Sequence, residues 1–462
     1  MPAPLPRLLR ASSLFLLLAI ILFVTMSCTS PTPEPGPDVL PTELTGTPDS
    51  VPPSRPPARP IGTGTANPTP SPSASATSSL TPDAGPSATP RSAPRGGGAI
   101  SGNVWFMSQL LAYFGRLGDY PPEPPMDRAS NIDPLTGLEV SDPSALQRRP
   151  LLVRLGNDAA ARPQAGLNQA DLVFEEMIDQ NHGAFAITRF TAVFLGQDAT
   201  VRPLRSARQV NASLQPMFDG ALAHSGAGKG VRYLFSNLPW GKPTTRSLNL
   251  DDLWYGSAYC VIGSSWMTRV ASTTSHIREV LRSQNHEEPV SLRGFEFSEF
   301  APAGAPASSM GLDHAPWPQT ASVSWKYDAG SGRYLRFSNG IAHNTQQYGI
   351  AGKWGGACAP RGETTTEPVS ASNVVVLNVA YDPTDGRDFT EDTLGSTSVF
   401  IEMTGSGPAR IYRDGVEIQG TWARPTLQHF FRFVDASGNT IPLKPGRTWF
   451  ELAPLGYNPT VK

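Results

Sequence analysis

The chain has 462 residues, with 37 basic and 39 acidic side chains, a formal net charge of −2 and 39% hydrophobic residues. Charges of both signs are interspersed, so no basic face is on offer for nucleic acid. The stretch beyond the first hundred residues is longer than one core usually supports, which implies two domains.

The N-terminus reads as an export signal. Arg7 and Arg10 lead into an apolar run at residues 14–24 that is too short for a comfortable bilayer span. The run ends at Thr25-Met26-Ser27-Cys28, a small residue before a cysteine, although Thr25 stands where lipoprotein signals usually carry Leu. Residues 1–27 are predicted to be a lipoprotein signal peptide and Cys28 the lipid-bearing residue; an ordinary signal peptide or an uncleaved anchor is the alternative. Two or three acyl chains hold a protein stably at a membrane surface. The predicted location is the extracytoplasmic face of the cell membrane, with the lipid anchor as the contact to the bilayer. Residues 28–98 are rich in Pro, Ser and Thr and lack any aromatic ring. Such a segment buries too little to fold, and reads as a disordered tether reaching on the order of 50 Å as a flexible coil.

Residues 99–130 are expected to hold a short helix and a linker. Val104, Trp105, Phe106, Met107, Leu110, Leu111, Tyr113 and Phe114 put apolar groups on most faces, so this helix should dock on the folded body. Residues 131–300 alternate turns, strands and helices. A turn falls at 133–138 and strands at 151–155, 170–176 and 185–194. A helical stretch then runs through Phe218, and a short apolar strand precedes His224-Ser225-Gly226. Residues 301–462 read as a smaller β-rich domain. Segments 322–328 and 333–338 alternate around a Gly-rich turn, residues 373–379 form a buried strand, and further turn-linked pairs lie in 409–422 and 431–441. Trp422 and Trp449 are expected to pack that β core. The fold class is therefore α+β, with a mixed α/β domain before a β-rich one.

This succession resembles the YerB-like lipoprotein family, whose two adjoining domains have no known activity. The resemblance runs from Asp133 to Tyr457 and rests on residues 134–138 and 161–167, Thr188-Arg189-Phe190, Arg205-Ser206-Ala207-Arg208 and His224-x-Gly226. Asn157-Asp158 stands where the family pattern reads Asp-Asn, and Arg202 where Gly is usual. The resemblance implies export, lipidation and a two-domain layout, and supplies no activity.

Common catalytic signatures are missing: the sequence contains no H-E-x-x-H, no G-x-S-x-G and no S-x-x-K. Gly226-Ala227-Gly228-Lys229-Gly230 looks like part of a phosphate loop, but Gly230 replaces the magnesium-binding hydroxyl, so the segment reads as a turn. Asp382, Asp385, Asp388, Glu391 and Asp392 form an acidic loop whose spacing is not that of an EF-hand. No metal or cofactor is expected. Cys260 and Cys358 remain as an even pair in an oxidising compartment, either bridged or as two buried thiols.

What stands out is arginine beside turns of the first domain: Arg154, Arg162, Arg189, Arg205 and Arg208, with Asn157 among them. Each guanidinium is a planar fork suited to carboxylate or phosphate. They are expected either to line an anion-recognising cleft or to form an internal ion-pair network with nearby acids. Two functions follow. The favoured one is a non-catalytic lipoprotein that binds an anionic cell-wall component or an envelope protein. The other is a cell-wall hydrolase or transferase using Glu175 or Asp219 as general acid/base, assisted by His224.

Overall fold

The computed structural model describes residues 102–462 except 183, 239, 241–247 and 301–302. The predicted signal segment, Cys28 and the tether lie outside the described residues. Among the described residues no helix is long and apolar enough to cross a membrane.

The predicted docking helix is α1 (Met107–Gly118), with Leu110, Tyr113 and Phe114 buried. Phe114 and Tyr113 meet Phe400 edge-on, and the preceding Trp105 donates its indole N–H to Asp382 at 3.2 Å. Full burial of Leu110 and Phe114 contributes about 1.5–3 kcal/mol each, which fixes a helix too short to persist alone.

The N-terminal half supplies β1 (Leu151–Gly156), β2 (Leu172–Asn181), β3 (Ala184–Phe194), α2 (Gln209–Phe218), β4 (Ala221–His224), α3 (Lys229–Asn237), β5 (Asn249–Asp251) and α4 (Thr274–Ser283). The C-terminal half is more β-rich and adds β6 (Asn373–Pro383), β7 (Gly405–Arg413), β8 (Val416–Arg424) and β9 (Thr448–Pro454). β1 and β9 are near-continuous apolar runs because both of their faces are covered, as in strands at the centre of a sheet. The β7–β8 hairpin turns on Asp414 and Gly415, both at positive φ (53° and 77°), the geometry a two-residue turn needs to match the strand twist.

One 12-stranded sheet holds strands from both halves. Its path runs β8-β7-β6-β9-β2-β3-β1-β4-β5, with Ala305–Pro306 outside β8. The joint is β9, which runs parallel both to β6 and to β2. Phe450 of β9 stacks on Phe174 of β2 at 4.6 Å, and Trp449 meets Trp325 edge-on at 5.2 Å. Trp422 and Trp449 are both buried, packing the β core as expected.

A second tie between the halves is the hairpin of Asn344–Gly352 and Cys358–Pro368. Its first strand pairs with Gln164–Ala165, and the ring of Trp354 at its tip stacks on His276 of α4 at 3.8 Å. Cys260 and Cys358 are bridged beside this tip, with Cα atoms 5.8 Å apart. On the chain-entropy account, closing a loop of 98 residues contributes about 4–5 kcal/mol.

A candidate ligand pocket beside His224

The arginines singled out in the sequence sit mostly inside this sheet and its loops. Arg154 projects from β1, fully buried, and donates to Glu176 at 2.5 Å and to Thr191 at 2.8 Å. Burial, only partly offset by Arg154, pushes Glu176 up to about 7. Arg208 forks onto both carboxylate oxygens of Asp179 at 2.5 Å and lies 3.4 Å from Glu391. Burial would raise Asp179, but the Arg208 guanidinium overrides it and holds the group below the usual carboxylate range. Arg189 donates to the Ser206 carbonyl; burial and then the neighbouring Arg208 push it well below the ordinary arginine range. Arg205 bonds Asp158 and the Met267 carbonyl, under the exposed ring of Trp266. Arg162 bonds the side chain and carbonyl of Asn157, whose amide in turn donates to Glu175 and Thr188. Arg154, Arg205 and Arg208 thus pair with acids of the same chain, while Arg162 and Arg189 are held by an amide side chain and by carbonyls.

Glu175, Asp219 and His224 occupy three different settings. Glu175 is fully buried, with one oxygen on Arg336 at 2.6 Å and the other taking bonds from Thr188 and Asn157. Asp219 is the left-handed C-cap of α2 and pairs with Arg149 at 2.9 Å. His224 ends β4, with Nδ1 2.8 Å from the Gly226 carbonyl and Nε2 2.7 Å from Asn249 Oδ1. A carbonyl can only accept, so Nδ1 carries a proton and the ring orientation is fixed.

His224 also lines a cavity of about 310 Å³, together with Gln215, Arg232, Trp240, Asn249 and Trp254. The cavity lies at the carboxyl ends of the parallel strands β4 and β5, where His224 pairs with Asp251 and α3 leaves the sheet, the usual place for ligands in open α/β sheets. Arg232 of α3 forks onto Asp251 at 2.7 and 3.2 Å, and its guanidinium stands 5.7 Å from the ring centre of Trp254. Trp254 is 63% exposed. Asp252 takes a bond from Ser225 at 2.6 Å. Gln215 of α2 donates its amide to the carbonyls of Gly220 and Leu248, and its Oε1 has no partner. The indole N–H of Trp240 has none either.

The Gly226–Gly230 turn connects β4 to α3, and its glycines answer to packing. A Cβ on Gly228 would press on the Glu391 carboxylate, and one on Gly230 would collide with the Asp388 carbonyl. Glu391 thus occupies the amino end of α3. The other acids of its loop are spent locally: Asp385 caps a helical turn, Asp392 takes the N–H groups of Leu394 and Ser396, and Asp382 holds Trp105. Among the described residues no group of three His, Cys, Asp or Glu is placed to hold a metal ion.

Gln215, Arg232, Trp240, Asn249 and Trp254 were not picked out in the sequence. The available signal was Asp251-Asp252-Leu253-Trp254, two acids followed by two large apolar residues that the fold leaves outside, at 61% and 63% exposure for Leu253 and Trp254.

A mixed α/β half and a β-rich half, joined through one sheet and with a pocket at its strand ends, define a paired-domain protein. Residues 135–251 match the N-terminal domain, and residues 314–450 the C-terminal domain, of a protein family of unknown function, DUF3048. The chain belongs to this family of YerB-like proteins. It is 25% identical over 326 residues to “Putative lipoprotein YerB” of Bacillus subtilis (strain 168), covering 70% of this chain and 86% of that protein. The crystal structure of the YerB protein from Bacillus subtilis shares the fold with a TM-score of 0.53 at 22% identity, over 70% of this chain and 96% of the solved one.

Proposed function

We propose that the protein is a lipid-anchored binding protein of the extracytoplasmic membrane face, which captures a cell-envelope component in the pocket beside His224. Cys28 and the signal before it support the anchor, as does the likeness to a protein named as a lipoprotein. The tether composition supports a binding body held clear of the headgroups. The observation that carries the binding reading is the cavity itself, about 310 Å³ at the carboxyl ends of β4 and β5, with the exposed ring of Trp254 in its lining. In this reading the arginine network holds the loops of the first half together, and the ligand meets the pocket instead.

The test uses the full chain in detergent. It should sediment with purified cell-wall sacculi, and Trp254→Ala, a change at an exposed ring, should release most of it without lowering the melting temperature. Equal sedimentation of the variant and the parent would overturn the reading.

A further inference from the structure

We infer that Arg189 forms a second ligand site, which takes a single terminal carboxylate at the carboxyl end of β1; this goes beyond the pocket reading and does not rest on it. Arg189 projects from β3, opposite Gly156 of β1 and Glu176 of β2, and only 6% of it is exposed. Its hydrogen bond runs from Nη1 to the Ser206 carbonyl at 2.9 Å. A guanidinium has five N–H donors, and when buried it is ordinarily paired with an acid or spent on several acceptors. Other arginines as deeply set follow that rule. Arg424 gives its donors to the carbonyls of Ser213, Met403, Leu427 and His429, and Arg447 to those of Asn168, Ala170 and Ser370. Arg154 and Arg336 each hold a glutamate.

What Arg189 leaves unused is its Nε–Nη2 edge. The same edge of Arg208 grips both oxygens of Asp179, and that of Arg232 both oxygens of Asp251, so its two parallel donors suit a carboxylate. Among the described residues no acid pairs with Arg189 within 4.0 Å. Its two free nitrogens also keep contact with solvent, unlike the sealed, unpartnered nitrogens of Arg154, Arg278 and Arg336. The opening is narrow, so it admits the end of a chain and not a ring.

The surrounding charges leave room for one negative group. Arg154, Arg205, Arg208 and Asp179 all act on Arg189. Asp158 offsets Arg205, and Asp179 offsets Arg208. Glu176, across the sheet from Arg189, is taken by Arg154 and raised to about 7. Glu391 lies 3.4 Å from Arg208, and burial raises it too. Arg189 is thus the cation of this group without an acid of its own. A monoanion completes it, whereas a second negative charge would be repelled by Asp158 and Asp179. Arg189 is not part of the cavity lining; the turn at Gly226, whose carbonyl takes the N–H of Ala207, separates the Arg205–Arg208 loop from Ala227 in that lining.

The experiment measures the melting temperature of the full chain in detergent, with N-acetylalanine, whose one charge is a terminal carboxylate, and with N-acetylalaninamide, at equal ionic strength in chloride. At saturating concentration the acid should raise the melting temperature by about 2 °C or more over the amide, because it binds the folded state alone. Arg189→Lys, which keeps the charge and loses the fork, and Arg189→Gln should each abolish that difference. In chloride alone Arg189→Gln should melt no lower than the parent, since the change removes a buried cation that has no acid. A parent that does not distinguish acid from amide, or a difference that survives both variants, overturns the site. A fall of several degrees in Arg189→Gln without ligand, or its failure to fold, also overturns it, by making Arg189 a structural partner. An Arg189-dependent rise with inorganic phosphate and none with the acid overturns the carboxylate assignment. None of these outcomes involves sedimentation with sacculi, so the pocket reading stands or falls separately.

Discussion

Glu175 and Glu451 lie side by side on the parallel strands β2 and β9, both fully buried, and Arg336 faces them. Burial first, and the charge of Glu175 second, push Glu451 well above the usual carboxylate range. Two buried carboxyls side by side before one guanidinium are expected to share one proton, so that a single negative charge faces Arg336. The guanidinium of Arg162 is near enough to feel the charge of Arg336, and adds a second cation to this group. Ser338 and His343 contact Arg336, and burial followed by Arg336 itself holds His343 well below the usual imidazole range. The rings of Phe190, Trp325 and Trp449 lie 5.3, 5.9 and 5.1 Å from the guanidinium. Glu451→Gln imitates the protonated acid, so it should cost under about 1 kcal/mol. Glu175→Gln should cost about 1 kcal/mol, because the negative charge moves to Glu451. The double variant leaves a dry guanidinium with no anion and should cost about 3–5 kcal/mol. The expected signature is therefore a loss about 1–3 kcal/mol larger than the sum of the single changes. Urea unfolding of the full chain at pH 7, followed by tryptophan fluorescence, measures all four corners of the cycle. A double-variant loss no greater than that sum would refute a shared charge.

Glu176 gives a pH dependence with a definite sign. Burial raises it from 4.5 to about 7 in the fold, so the folded state binds the extra proton; its stabilisation is full below about pH 4.5 and is lost as pH rises to 7, about 3 kcal/mol in all. Glu176→Gln should flatten that window when melting temperatures are compared between pH 5 and pH 7.5. Arg208→Lys keeps the charge but loses the fork onto Asp179, and a loss of about 1–3 kcal/mol in urea unfolding is expected; an unchanged midpoint would contradict a structural role. Cys28→Ala should move the protein from the membrane fraction to the soluble exported fraction, and retention after a high-salt wash would count against lipidation. Deleting half of residues 29–98 should leave the melting temperature within a few degrees, whereas a larger fall would mean that the segment docks.

Much of the fold is legible because burial on both faces writes a continuous apolar run into a strand. Leu151–Gly156 and Asn373–Pro383 announce themselves in this way, as does the β7–β8 hairpin, through the positive-φ requirement at Asp414-Gly415. Partners are not legible. Nothing in Thr448–Pro454 says that it will lie between Asn373–Pro383 and Leu172–Asn181, since a run apolar on both faces suits any central position. The disulfide was open for the same reason: an even pair of cysteines permits a bridge, and only the hairpin crossing to the first half brings Cys358 to Cys260.

The site was read less well, for a reason that lies in the chemistry of arginine. A guanidinium beside a turn looks alike whether its acid comes from the same chain or from a ligand, and only register decides. Across β1, β3 and β2, Arg154 is opposite Thr191 and Arg189 opposite Glu176, so the acids are delivered from inside. The pocket, by contrast, draws Gln215 from a helix, Asn249 from a strand and Trp254 from a turn, with no fixed spacing to betray them. Its wall also depends on a residue far away in sequence. Gly118 ends α1 against the Trp240 ring, where a Cβ would have no room, and Phe114 meets the same ring edge-on. Helix α1 thus buttresses the Trp240 indole that lines the cavity. Docking of that helix and the shape of the pocket are accordingly one packing problem, which explains why its apolar residues are spent on the body.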